Sequence, residues 1–250
     1  IALPLAEAPG SCPQTRGVDI LERFPPPLEL TADMLFAATS APLGPLRRSF
    51  PGVPFRSLLG QVPVLLWFSR VHGVTFWRGR ERVQLGPGEG FEYRELNVVL
   101  PCRGPSLFIP VIYATAAVSL ALGHRYGMPK RAAEMTFTAT ETKIVSRALT
   151  AGKTSVAEAS LLASGRLFAL AARRLLPLET WPAAFPQGPD IRATVTALPR
   201  AQLAAVTGSL ELPVPWLAEA RYLWRLGVRV PGFRMVLPAP GESRPAAWSR

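Results

Sequence analysis

The amino-acid sequence predicts a mainly β fold of the α+β kind, rich in turns. Three observations predict it. Twenty-seven prolines spread along 250 residues interrupt any long helix, because proline lacks the amide hydrogen and clashes with the preceding turn. Short stretches with apolar side chains at every second position recur along the chain, the period of a strand with one buried face. Clusters of turn-forming residues separate them, as in Gly86-Pro-Gly-Glu-Gly90. A hydrophobic content of 48% with only 18% charged residues excludes disorder as the main state.

Residues 1–44 read as an irregular, Pro-rich N-terminal part, with Pro25-Pro26-Pro27 as rigid punctuation and Thr31 to Ala38 as a short helix or strand. Leu46 to Phe55 reads as a loop. Val62 to Val71 is an apolar run of strand length, and Gly73 to Trp77 is expected to pair back on it. Phe91 to Leu100 alternates, and Leu107 to Tyr113 is a buried strand. Thr115 is placed to cap a short helix through Leu122, closed by Gly123. Met135, Phe137 and Ala139 alternate with Thr; Ile144 to Leu149 and Ser155 to Leu161 follow as strands around a turn at Gly152.

Leu161 to Leu176, rich in Ala, Leu and Arg, is the best helix candidate and stops at Pro177. Ser155 with Glu158 fits a capping box that would start it earlier. Ile191 to Ala197 alternates again, as does the approach to Gly208-Ser-Leu-Glu-Leu212. Residues 239–250 read as a coil tail. No internal repeat and no linker breaks the chain, so residues 1–250 are expected to form one domain.

The net charge of +11 admits nucleic acid, an anionic membrane or an acidic ligand as partner. Of the 28 basic residues only Lys130, Lys143 and Lys153 are lysines, so a lysine in this chain is a residue that arginine has not replaced. Cys12 and Cys102 form no metal motif and no disulfide framework. Ile1 to Gly10 lacks a charged n-region and contains Glu7, unlike a secretory signal. The uncharged stretch Gly104 to Gly123 has the length of a membrane span, but Pro105 and Pro110 make it two successive buried elements. A soluble, cytoplasmic protein with no membrane partner is expected.

Most motifs carry little. Gly152-Lys153-Thr154 ends like a phosphate-binding loop, but Arg147 stands where the motif needs glycine. His72 and His124 have no metal-ligand spacing, and no Gly-x-Ser-x-Gly elbow supports a triad. Arg78, Arg80 and Arg82 beside Trp77 belong to no nucleic-acid-binding module and read as a solvated face. No metal, cofactor or nucleic acid is expected.

Gly127-Met128-Pro129-Lys130-Arg131 stands apart. A turn places Lys130 between the apolar segment Leu107 to Leu122 and an alternating strand, with a permanent cation next in sequence. Burial and a like charge both favour the neutral amine, the nucleophile of Schiff-base chemistry on ketones.

The segment Leu120-Ala-Leu-Gly-His-Arg-Tyr-Gly-Met-Pro-Lys-Arg131 resembles the active-site segment of acetoacetate decarboxylases, which ends in Pro-Lys-Lys. That enzyme is the standard case of a lysine activated by a neighbouring cation. Tyr93-Arg-Glu-Leu-Asn-Val-Val-Leu-Pro101 resembles the family's Tyr-x-Glu segment, and weaker likenesses extend over residues 45–238. The resemblance implies a closed, cone-like β-barrel with flanking helices, an interior pocket and a homo-oligomer. It implies Lys130 as the Schiff-base lysine, Arg131 as the cation that keeps it neutral, and Glu95 as a pocket carboxylate. Phe68, Tyr113, Tyr126 and Met128 are expected to line the substrate pocket, with Phe68 and Ala32 where the family has a second glutamate and an arginine.

The implied activity is that of a carbon–carbon lyase, or related aldolase-dehydratase chemistry, on a small-to-medium oxo acid or ketone other than acetoacetate. The alternatives are a β-barrel that binds a small apolar or acidic ligand without turnover and a binder of anionic polymers.

Overall fold

In the computed structural model the described residues are 20–104, 106–164, 181–186, 191–197, 201–217 and 226–239. A short helix α1 (Ile20–Arg23) leads into strand β1 (Leu28–Pro42), helix α2 (Leu43–Ser49), β2 (Gln61–Arg78), β3 (Glu81–Leu85), β4 (Tyr93–Pro101) and β5 (Leu107–Ala114). Helix α3 (Ala117–Arg125) and β6 (Lys130–Ala132) follow. Then come β7 (Glu134–Ala139), β8 (Lys143–Thr150), β9 (Lys153–Ser164), β10 (Trp181–Ala184), β11 (Ile191–Ala197), β12 (Gln202–Thr207) and β13 (Leu226–Leu237).

All of these strands belong to one large sheet, ordered β1-β2-β4-β5-β10-β11-β13-β12-β9-β8-β7, with β3 on β2 and β6 on β5. β13 also pairs with β1, from Leu28↔Leu237 to Ala37↔Gly227. The fold is mainly β, as the turn-rich sequence predicts.

The first cluster of buried side chains gathers around one face of β1, β2, β4, β5, β10, β11 and β13, and includes Leu30, Met34, Trp67, Tyr93, Ile109, Ile112 and Phe233. The second collects the opposite faces of β1, β2, β4 and β5, together with β7, β8, β9 and β12. β4 and β5 are therefore buried on both faces, which is why Leu107–Ala114 is apolar throughout. Among the described residues no helix is long and apolar enough to cross a membrane.

Four expectations are corrected. Residues 1–44, expected to be irregular, contain the 15-residue strand β1. Gly73 to Trp77 does not pair back on Val62 to Val71: both lie in the one strand β2, with β1 paired along its length from Thr75 to Gln61 and β3 paired with its end. Leu46, placed in a loop, lies buried in α2. Leu161–Ser164, expected to open a helix, continues β9, whose hydrogen bonds to β12 override the helix propensity of Leu and Ala.

The remainder of that helix candidate, like Cys12 and most of the coil tail, lies outside the described residues. Ser155 and Glu158 form no capping box. Ser155 Oγ accepts a hydrogen bond from the Glu211 amide at 3.0 Å, and Glu158 pairs with Lys143 at 2.8 Å on the sheet surface.

Candidate active site

The site begins with the parity of β4. Alternate residues of a strand share a face, so Tyr93, Glu95 and Asn97 point together into a pocket while Leu96 and Val98 enter the second core cluster. The chain then runs along β5 and returns through α3 to β6, which lies parallel to β5. Gly127, at φ +70°, makes the turn that permits the return. The Met128 amide donates to the Gly123 carbonyl at 2.8 Å, and the Ile112 amide donates to the Pro129 carbonyl at 3.1 Å. These bonds set Lys130 opposite Ile112.

From there the Lys130 side chain runs across α3 into the pocket. Its Nζ donates to Glu95 Oε1 in a buried ion pair and to Ser119 Oγ at 2.8 Å. Ser119 Oγ donates in turn to Glu95 Oε1 at 2.6 Å. The lysine side chain is 6% exposed and the glutamate side chain 9%. The three groups form a closed triangle from β6, α3 and β4, and Nζ stands 5.7 Å from the centre of the Tyr93 ring. Burial, and after it the charge of Glu95, hold the Tyr93 phenol well above the usual tyrosine range, so it stays a neutral hydrogen-bond donor.

The pocket around this triangle is lined mainly by apolar side chains, among them Leu30, Met34, Trp67, Ile112, Leu122 and Phe233. Its described lining comes from β1, β2, β4, β5, β10, β11 and β13, closed on one side by α3 and β6.

No protein-family model and no curated protein matches this sequence. Solved structures match its shape. The enduracididine biosynthesis enzyme MppR, complexed with pyruvate, superposes with a TM-score of 0.59 at 12% identity, covering 85% of this chain and 88% of that one. An acetoacetate decarboxylase-like enzyme from Sphingomonas wittichii RW1 gives 0.56 at 15% identity, over 87% and 92% of the two chains. Acetoacetate decarboxylase from Legionella pneumophila gives 0.55 at 12% identity, over 84% and 87%. This chain has the acetoacetate decarboxylase-like fold.

Within this acetoacetate decarboxylase-like fold, the structure brings Lys130 and Glu95 together across 35 residues of sequence, and Tyr126 and Met128 join them in the pocket lining. Phe68 and Tyr113 do not line it. Register pairs Phe68 with Leu96, Leu96 with Tyr113 and Tyr113 with Arg131, so these four form one row on the opposite face of the sheet. Phe68 and Tyr113 belong to the second core cluster. The pocket-facing residues of β2 are Trp67, Ser69 and Val71, one position off the expected Phe68.

Arg131 is exposed and faces away from the pocket, because neighbouring residues of a strand point to opposite sides. Its charge acts on Tyr113 instead, opposing the upward push that burial gives that phenol. Ala32 does line the pocket.

Sequence reading missed Ser119, Gly123 as a packing residue, and Asn97. Asn97 was within reach, since Tyr93-x-Glu95-x-Asn97 is one face of one strand. Ser119 and Gly123, four apart on a helix, share a face in the same way. Thr115 caps no helix. Its Oγ1 accepts from the Arg94 amide at 3.0 Å, and α3 starts without a side-chain cap. His124 Nε2 lies 3.3 Å from the Lys130 carbonyl oxygen, and no group of three potential metal ligands occurs among the described residues. Lys153, Arg78, Arg80 and Arg82 are exposed.

Proposed function

We propose that this chain is a Schiff-base-forming lyase of the acetoacetate decarboxylase-like superfamily, acting through Lys130 on a small-to-medium oxo acid or ketone other than acetoacetate. One observation carries the reading. A lysine amine is buried at the wall of an apolar pocket with a carboxylate and a hydroxyl as its partners. The enzymes named in the matching structures, one of them holding the oxo acid pyruvate, support it. The pairing of β13 with β1, and a lining drawn from these two and the five strands between them, support a closed barrel around the site. A homo-oligomer is part of the same reading.

In this mechanism Glu95 takes a proton from the Lys130 ammonium when a carbonyl compound enters. The freed amine attacks the carbonyl carbon. Glu95 returns the proton to the carbinolamine oxygen, which leaves as water, and an iminium remains. The electrons of the bond broken next, at the carbon beside the iminium, move onto nitrogen and give an enamine. A proton delivered to carbon and hydrolysis of the iminium restore Lys130. Ser119 holds the carboxylate and the amine in register throughout, and Arg131 takes no part.

Among the described lining residues, the charged groups are Lys130 and Glu95, which neutralise each other. Acetoacetate carries its carboxylate one carbon from the reacting carbonyl and would hold it unpaired beside Glu95, a costly burial, so an oxo acid of the proposed class must carry its carboxylate further from Lys130. Phe68, expected in the place of a pocket glutamate, lies outside the pocket and has no part in that cost.

Incubation with acetone and borohydride near neutral pH tests the reading: reductive labelling is expected at Lys130. Equal labelling of Lys143, which pairs with Glu158 at the surface, or of exposed Lys153 would sink it. The predominantly apolar lining favours a second reading, a barrel that binds a small apolar ligand without turnover. Unlabelled Lys130 with retained ligand binding is its signature.

A further inference from the structure

We infer that Asn97 reads a second, uncharged polar group on the substrate, so that the substrate class is a neutral carbonyl compound also bearing an amide, ester, hydroxyl or second ketone. The inference rests on the reading of Lys130 given above and narrows it.

Asn97 is 9% exposed and lines the pocket, and no hydrogen bond joins its carboxamide to another described residue, so its polar atoms face the cavity rather than being sealed within protein. A buried amide without a partner is costly unless something completes it. Its neighbours in register are Trp67 on β2 and Ile112 on β5, both part of the apolar wall. The protein therefore holds a two-way hydrogen-bonding group between two apolar neighbours, ready for a ligand.

The same small molecule can reach both Asn97 and Lys130. Ile112 pairs with Asn97 on one side and Lys130 on the other, which sets their backbones roughly 10 Å apart, two strand spacings. The Lys130 amine reaches back to Glu95, and Glu95 precedes Asn97 on the same face by two residues, about 7 Å along the strand. A carbonyl carbon at Nζ and a polar atom at Asn97 are then a few bonds apart.

Charge decides the nature of that second group. A carboxylate at Asn97 would stand beside the Glu95 carboxylate, with the nearest described cation already paired to Glu95. A carboxamide supplies only a dipole, enough for a neutral partner and too little for a buried anion.

The test is calorimetric titration of the full chain with three probes of one skeleton: levulinamide, levulinate and isoamyl methyl ketone. Levulinamide is expected to bind about tenfold more tightly than either other probe, the worth of one or two buried hydrogen bonds. In Asn97→Leu that advantage over the ketone should vanish, whatever the change in the absolute affinities.

The wild-type ranking is informative without any variant. A second arm uses Lys130→Met with Glu95→Gln, which removes covalent chemistry and the charge pair. Persistence of the levulinamide preference there supports Asn97 as the reader even if borohydride never labels Lys130, so the two proposals can fail separately. Levulinate binding as tightly as levulinamide overturns the inference. So does a ketone of equal affinity, a ranking unchanged by Asn97→Leu, or no levulinamide binding at millimolar concentration.

Discussion

The space beside Gly123 is filled by Lys130. A Cβ at Gly123 would overlap Cγ, Cδ and Cε of the lysine. This glycine is buried inside α3, and the helix continues past it to Arg125. Its missing side chain is the groove through which Lys130 crosses the helix to reach Glu95 and Ser119. A residue that reads as a helix stop is a positioning residue for the amine.

Gly123→Ala separates this role from stability. Alanine in a helix interior is more favourable than glycine by about 0.5–1 kcal/mol, and the atoms it meets belong to a flexible side chain that can swing aside. The variant is expected to unfold within about 1 kcal/mol of the parent while reductive labelling of Lys130 falls at least about tenfold, the rate equivalent of 1.4 kcal/mol. Denaturant melts and peptide mass spectrometry measure the two. Unchanged labelling would remove Gly123 from the site.

Glu95→Gln leaves the Lys130 ammonium buried without its counter-charge. Breaking one side of a buried pair costs about 3–5 kcal/mol, whereas replacing both sides with groups of similar volume costs far less. Adding Lys130→Met to Glu95→Gln should therefore recover most of the lost stability in urea melts. Additive losses in the double variant would show that the pair is not coupled.

Asp33 gives a pH-dependent signature away from the pocket. His72, with Nε2 3.8 Å from the carboxylate, lowers its pKa most; the Gly232 amide, donating at 3.1 Å, and the charge of Arg70 add to this, and burial opposes it. The folded value thus lies below the unfolded value of about 3.9. The stabilisation is present above that pH and is lost as pH falls through the folded value. Asp33→Asn keeps an acceptor for Gly232 but loses the charge, so it should cost on the order of 1 kcal/mol near neutral pH. Thermal melts from neutral pH downward should show the two proteins converging below about pH 4. A constant gap across that range would contradict the assignment.

How much of this was legible in the chain follows from which interactions are local. The β7–β8–β9 hairpins were readable because alternation and the turn at Gly152 act over a few residues. Lys130 was conspicuous for the same reason, set by a turn within a short segment and kept as lysine where arginine is the habit. Parity was harder. Phe68 and Trp67 are adjacent, and a one-residue error exchanges the pocket for the other core, as does the step from Lys130 to Arg131. Register shifts such as the one between Val98 and Leu100 break simple counting along a strand.

Helix or strand at Leu161 could not be settled by propensity, because the hydrogen bonds that decide it come from β12, some 40 residues later. The site itself is the extreme case. The sequence alone supplied a β-rich chain, a distinctive lysine and a carboxylate. Only the tertiary structure brought β6, α3 and β4 together, because Lys130, Ser119 and Glu95, held away from water, need partners that their own stretches of chain do not supply.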